Sequence, residues 1–180
     1  RKAPRGGSCP GGGKSAVGPS ASARSCPLGG WAVGGAGALI AMPCAASMLA
    51  EFGAGVIRIG RPRVGDTSRS FGPLARGRDG QTIGAAWAQE ARNRLSMTLE
   101  LGPGRADSHE LLLELIRRSD IFIENMVWTE KLGIRDAELL EANPALVIVH
   151  ISGYGHREFG GVPTISAQAP YDMRGTALSG

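Results

Sequence analysis

The first thing missing is acid at the front. Residues 1–35 contain Arg1, Lys2, Arg5, Lys14 and Arg24 but no Asp or Glu. The other 145 residues carry 15 basic and 16 acidic side chains, a net of −1, so the overall charge of +4 belongs to the leading segment. A protein that tracks nucleic-acid phosphates needs its positive charge on the folded surface, so the pI of 9.3 does not indicate a duplex-binding face. Long apolar runs are also lacking. No stretch approaches the roughly 20 residues that a membrane span needs, which excludes that class. The cysteines are few, and Cys9, Cys26 and Cys44 form no CxxC pair. With no secretory apolar region near Arg1, a reducing, cytoplasmic setting is the expectation.

Residues 1–35 form a segment of their own by composition. Ten glycines, five serines and four prolines occupy 19 of its 35 positions. Such a segment buries too little apolar surface to offset chain entropy, so disorder is expected. Its Gly and Pro content argues against the amphipathic helix of an organelle-targeting peptide. Gly11-Gly12-Gly13-Lys14-Ser15 imitates the end of a phosphate-binding loop. That motif requires a glycine where Ser8 stands, a strand before it and a helix after it. None of these is present in the pattern.

From residue 36 to residue 180 the pattern is that of an α/β domain. Pro43 sits in the first turn of a helix that runs on to Glu51, with Met48 and Leu49 inward, and Gly53 and Gly55 close it. Val56-Ile57-Arg58-Ile59 is a β-branched strand, followed by a loop over residues 61–66. Residues 70–92 read as an irregular surface excursion. Ser96 to Leu101 is a second strand, and Arg105–Arg118 a helix whose apolar face carries Leu111, Leu112, Leu115 and Ile116. A third strand spans Asp120 to Glu124, a short helix spans Asp136–Ala142, and Leu146 to Ile151 is a fourth strand. This last strand is apolar enough to be covered on both faces. Strands alternating with helices predict a Rossmann-like parallel sheet with flanking helices. A strand ahead of the first helix is the piece the pattern does not supply. Gly30-Trp31-Ala32-Val33 is a poor candidate for it, so the sheet is expected to be incomplete at its start.

Seven stretches, in order, resemble the family III CoA-transferases. They are Met48 to Ile59, Gly65-Asp66-Thr67-Ser68-Arg69, Asn93 to Leu101, Asp120 to Asn125, Asn143-Pro144, Ile151 to Gly155, and Tyr171-Asp172 with Ser179-Gly180. Together they run through almost all of residues 38–180. Any one of them is common; their order is not.

The resemblance implies an enzyme that moves CoA between carboxylic acids, with CoA or acyl-CoA as substrate and no permanently bound cofactor. In that family an aspartate attacks the acyl-CoA thioester, giving a mixed anhydride that returning CoA resolves on a new acid. The family's Gly-Asp segment for this aspartate has no match in this sequence, so no catalytic residue is assigned. The chain is therefore expected to be the front part of a longer domain, inactive without the rest. The family's interlocked homodimer of ring-like chains implies the same for the whole protein.

The resemblance also implies particular contacts. CoA needs cations for its phosphates and an apolar slot for its adenine. Arg61 corresponds to a phosphate contact; its alternative is a solvated loop charge. Asn125 and Met126 match residues lining the nucleotide cleft, with strand-end packing as the alternative, and Lys131 takes a basic position just beyond. Tyr171 and Asp172 lie beside the acyl pocket, where Asp172 alternatively caps a helix. Four departures weaken the pattern: Met42 before Pro43 stands where glycine is usual, Gly60 where glutamate is, and Leu95 and Gly102 where a basic residue is common.

Alpha-methylacyl-CoA racemases share these motifs but need an acid/base histidine where Tyr171 stands. A tyrosine with an ordinary pKa of about 10 suits hydrogen bonding better than proton abstraction. His150, inside an apolar strand, reads as a satisfied core histidine, and His156 as a solvated loop residue. A non-catalytic CoA-binding module of the same fold is the remaining alternative.

Overall fold

The computed structural model describes residues 26–126, 129–155, 159–161 and 177. Among the described residues a five-stranded sheet has the order β5-β2-β1-β6-β7, with every neighbouring pair parallel. The strands are β1 (Ala32–Ala36), β2 (Gly55–Gly60), β5 (Arg94–Thr98), β6 (Ile121–Glu124) and β7 (Val147–His150). Helix α1 (Ala41–Glu51) joins β1 to β2, α3 (Ala106–Arg117) joins β5 to β6, and α4 (Asp136–Ala142) joins β6 to β7. The Rossmann-like α/β architecture read from the alternation is the one observed.

The expectation of a missing opening strand is corrected. Ala32–Ala36 forms β1, and it lies at the centre of the sheet, pairing with β2 on one side and β6 on the other. Its sequence, Ala-Val-Gly-Gly-Ala, hides it. The glycines are there because helices close in from both faces. A Cβ on Gly34 would stand 3.3 Å from Phe122 Cδ2 and from Ser119 Oγ, and one on Gly35 would stand 3.1 Å from Met42 Sδ. The strand thus straddles the compositional boundary at residue 35.

Two buried clusters sandwich the sheet. Val33, Met42, Ala46, Ala50, Val56 and Ile123 pack under α1. On the opposite face Ile59, Leu112, Ile116, Phe122, Leu139 and Leu146 pack with α3 and α4. Several inward assignments shift with the observed helix phases. Met48 is 58% exposed and Leu111 54%, while the small Ala46 and Ala50 take the inner face of α1. The inner face of α1 carries Met42, Ala46 and Ala50, and Met48 lies off that face.

The stretch at 70–92, expected to be irregular, carries structure. A hairpin of β3 (Leu74–Arg76) and β4 (Thr82–Gly84) leads into α2 (Ala85–Glu90), whose Trp87 is buried. β5 begins two residues earlier than expected and ends at Thr98, because its register against β2 runs from Arg94 opposite Val56 to Thr98 opposite Gly60. Among the described residues β7 is an edge strand, and Val147 and Val149 on one of its faces are exposed, so the described residues cover it on one face and not on both. Among the described residues no helix is long and apolar enough to cross a membrane. Cys44 on α1 is a free thiol.

Candidate functional site

Chain order and strand order reverse between β1 and β6. From β1 the chain steps outward through β2 to β5, then returns to the far side of β1 as β6. At such a reversal the loops leaving two adjacent parallel strands diverge, opening a crevice at the carboxyl edge. Here the two loops are Gly37–Leu39 after β1 and Asn125–Met126 after β6, and the Asn125 side chain bridges them.

The Gly37–Leu39 loop is fixed from both sides. Asn125 Oδ1 accepts from the Ala38 amide at 3.1 Å, and Asn125 Nδ2 donates to the Ala38 carbonyl at 2.9 Å. Arg58 Nη2 donates to the Gly37 carbonyl at 3.0 Å, and the Leu39 amide donates to Asp66 Oδ1 at 3.4 Å. This fixation accommodates costly backbone: Leu39 has φ of 66°, a left-handed conformation that a branched side chain adopts only when its surroundings demand it. Gly37 cannot be replaced freely, because a Cβ there would overlap Asn125 Oδ1.

Behind the loop lies a buried ionic core. Asp66 pairs with Arg58, and both are almost fully buried. Asp66 Oδ1 also accepts from the Ser68 amide at 2.8 Å and from Ser68 Oγ at 2.6 Å, which caps the 3-10 turn Thr67–Ser70. Trp87 is flanked by two guanidinium groups, that of Arg58 5.0 Å from the ring centroid and that of Arg69 4.1 Å. Burial pulls the Arg58 guanidinium below its ordinary value; Asp66 opposes this and Arg69 adds to it. The Gly-Asp-x-x-Arg stretch singled out in the sequence is thus the support of the loop, and Arg58 and Trp87 are partners that the sequence did not flag. An arginine alternating with Val56, Ile57 and Ile59 in a buried strand was the available signal for Arg58, since a buried charge requires a partner.

A half-buried arginine braces α1. Arg94 donates to the Pro43 carbonyl at 2.9 Å and to the Glu90 carbonyl, and burial pushes its guanidinium down to about 10. Met42, expected to obstruct the ligand side, is fully buried against Gly35. The first turn of α1 has no side-chain cap and no acidic residue, leaving its amides suited to an anionic oxygen.

At the outer wall, His150 at the end of β7 lies between two carboxylates. Its Nδ1 is 2.6 Å from Glu124 Oε1 and its Nε2 is 2.8 Å from Asp136 Oδ2. The hydrogen bond to Glu124, then that to Asp136, raises His150 to about 9 against the opposing effect of burial. The satisfied-histidine reading holds, in a charged form.

Four of the sequence-predicted residues lie in the connections that follow β2 and β6. Asn125 is half-buried and bonded to the facing loop; Met126 is half-buried against the core under α3 and α4. Arg61 is exposed just past β2, in the turn closed by the Gly65 amide donating to the Arg61 carbonyl at 3.0 Å. Since β2 and β6 flank β1, Arg61 and Asn125 leave the sheet on opposite sides of Gly37. Lys131 is exposed in the 3-10 turn Glu130–Leu132, farther along the connection to α4. Tyr171, Asp172 and His156 lie outside the described residues. Among the described residues no group of three or more His, Cys, Asp or Glu could hold a metal ion.

Comparison with known proteins places this architecture. A family model described as CoA-transferase family III matches residues 28–180. The chain is 40% identical over 139 residues to the succinyl-CoA–L-malate CoA-transferase alpha subunit of Chloroflexus aurantiacus, covering 76% of this chain and 31% of that protein. It is 37% identical over 146 residues to the bile acid CoA-transferase BaiK of Clostridium scindens, covering 80% of this chain and 29% of that one. A solved CAIB/BAIF family protein from Brucella suis superposes with a TM-score of 0.70 at 29% identity, over 82% of this chain and 37% of that one. The chain therefore spans about a third of the length of the curated relatives it matches.

Proposed function

The chain belongs to CoA-transferase family III, and from that premise we propose that it supplies the nucleotide-side half of an acyl-CoA:carboxylate CoA-transferase. The observation that carries this reading is the β1/β6 switch point, where the Gly37–Leu39 loop is held by Asn125, Arg58 and Asp66. A loop fixed before the ligand arrives loses little entropy on binding. The uncapped first turn of α1, which follows it, offers donors for the diphosphate or thioester oxygens. In this reading Arg61 meets a CoA phosphate, Asn125 and Met126 line the nucleotide side, and Lys131 adds charge beyond them. Tyr171 and Asp172 belong to the acyl side. The aspartate that forms the mixed anhydride is assigned to no residue of this chain, so transfer itself requires the remainder of the family's length.

The test is calorimetric titration of this chain with acetyl-CoA. Saturable binding is expected, with Arg61→Ala weakening it about tenfold through loss of one charge-assisted phosphate contact. An unchanged titration curve for that variant would remove Arg61 from the site, and no binding at all would remove the CoA reading. A CoA-transfer assay on the whole protein then separates a transferase from a non-catalytic binding module. The matched relatives described above are transferases by name, and no observation favours the racemase alternative.

A further inference from the structure

The cluster of His150, Glu124 and Asp136 is not used by the reading above, yet it adjoins the crevice wall. It joins three elements. His150 ends β7, Glu124 ends β6, and Asp136 begins α4. Both ring nitrogens lie within hydrogen-bond distance of a carboxylate oxygen, and acceptors on both sides require a proton on each nitrogen. The side chains of His150 and Glu124 are 13% and 5% exposed, so their charges cannot rely on water; that of Asp136 is 33% exposed. Phe159 stacks over the imidazole with ring centroids 6.5 Å apart. The remaining oxygen of Glu124 is also committed. Oε2 accepts from the Met126 amide at 2.5 Å, closing the turn that presents Asn125 to Ala38.

We propose that His150 is a positioning residue of the crevice: as an imidazolium held by Asp136, it orients Glu124, and Glu124 in turn fixes the Asn125–Met126 turn against the β1 loop. Histidine suits the role because one planar ring spans two carboxylates, and its charge balances the carboxylates on either side of it. The groups that face it are Glu124 from β6 and Asp136 from α4, with the Phe159 ring alongside. When the ring loses its proton, one carboxylate loses its donor. The turn then loosens without any loss of a ligand contact. This role rests on the proposed CoA site for its consequence but not for its geometry.

The geometry is tested first, by following the Met126 and Asn125 backbone amides and the His150 ring nitrogens by NMR from pH 7 to pH 10.5. The amides are expected to shift with the same midpoint as the ring. Asp136→Asn, which removes one acceptor charge and keeps the Glu124 contact, is expected to move both midpoints down together. Amides that stay still while the ring titrates overturn the proposal; this holds even if His150→Gln does not fold. The consequence is then read as acetyl-CoA affinity, the thioester avoiding titration of the free thiol. Affinity in the wild type is expected to fall about tenfold as the ring deprotonates, the weight of one charge-assisted hydrogen bond. In His150→Gln it is expected to be weak already at pH 7 and flat up to the ring's midpoint. A variant as tight as wild type and with the same pH profile refutes the positioning role. Absence of acetyl-CoA binding in wild type refutes the CoA reading alone, and the amide titration still decides the role of His150.

Discussion

The centre of the sheet and its flanks are built on different terms. At the centre, β1 is so closely packed that two of its five residues are glycine, and its exit loop is fixed by Arg58 from β2, Asn125 just after β6 and Asp66 just before the 3-10 turn. At the flanks, β5 shows Leu95 at 69% exposure and β7 shows Val147 at 52%. The lesson is that pre-organisation here is local. The buried Arg58–Asp66 pair lies behind one loop, while apolar side chains on both edge strands are left without cover by the described residues.

The comparison breaks most visibly at Asp66. Asp66→Ala leaves Arg58 charged and buried beneath the loop, and a loss of about 3–5 kcal/mol in urea unfolding is expected. A loss below about 1 kcal/mol would mean that water reaches Arg58 and that the centre is not built as described. Gly34→Val comes next. Its branched side chain meets Phe122 and Ser119, and overpacking of this kind costs about 1–3 kcal/mol; the same urea titration reads it, and a neutral result would show that α3 can move aside.

The pH dependence sharpens the outer wall of the crevice. His150 is raised from its ordinary value to about 9 by Glu124 and Asp136. Because the folded value lies above the unfolded one, its stabilisation is fully present below about pH 6.5 and is lost as pH rises through about 9. The urea midpoint of the wild type should therefore fall between pH 7 and pH 9.5, and that of His150→Gln should fall less. Equal slopes would show that the ring does not stabilise the fold. The smallest effect belongs to the flank: Leu95→Ser should change stability by no more than about 0.5 kcal/mol, since little is buried there. A larger loss would mean that β5 has a packing partner in this chain.

Legibility followed the same division. Helix Asp136–Ala142 was legible to the residue, because Asn143-Pro144 stops it and its apolar residues recur at helical spacing. β2, α3 and β6 were legible to within a residue or two for similar reasons. β1 was not, because its glycines answer to Met42, Phe122 and Ser119, residues distant in sequence that no local pattern reveals. Trp87 was passed over in a stretch weak in periodicity, although a buried indole between two arginines organises it. Of the candidate site, the motif order pointed to Asn125 and to the Asp66 loop, but the reciprocal grip of Asn125 on Ala38 could not be read from it.

By itself the sequence determined the alternation of strands and helices and the family, since both rest on local periodicity and on motifs in linear order. Only the tertiary structure decided which strand lies in the middle, which helix face is inward, and that His150 spans two carboxylates. Those outcomes depend on close approach between segments up to about ninety residues apart, where sterics and charge burial act through space and leave little trace along the chain.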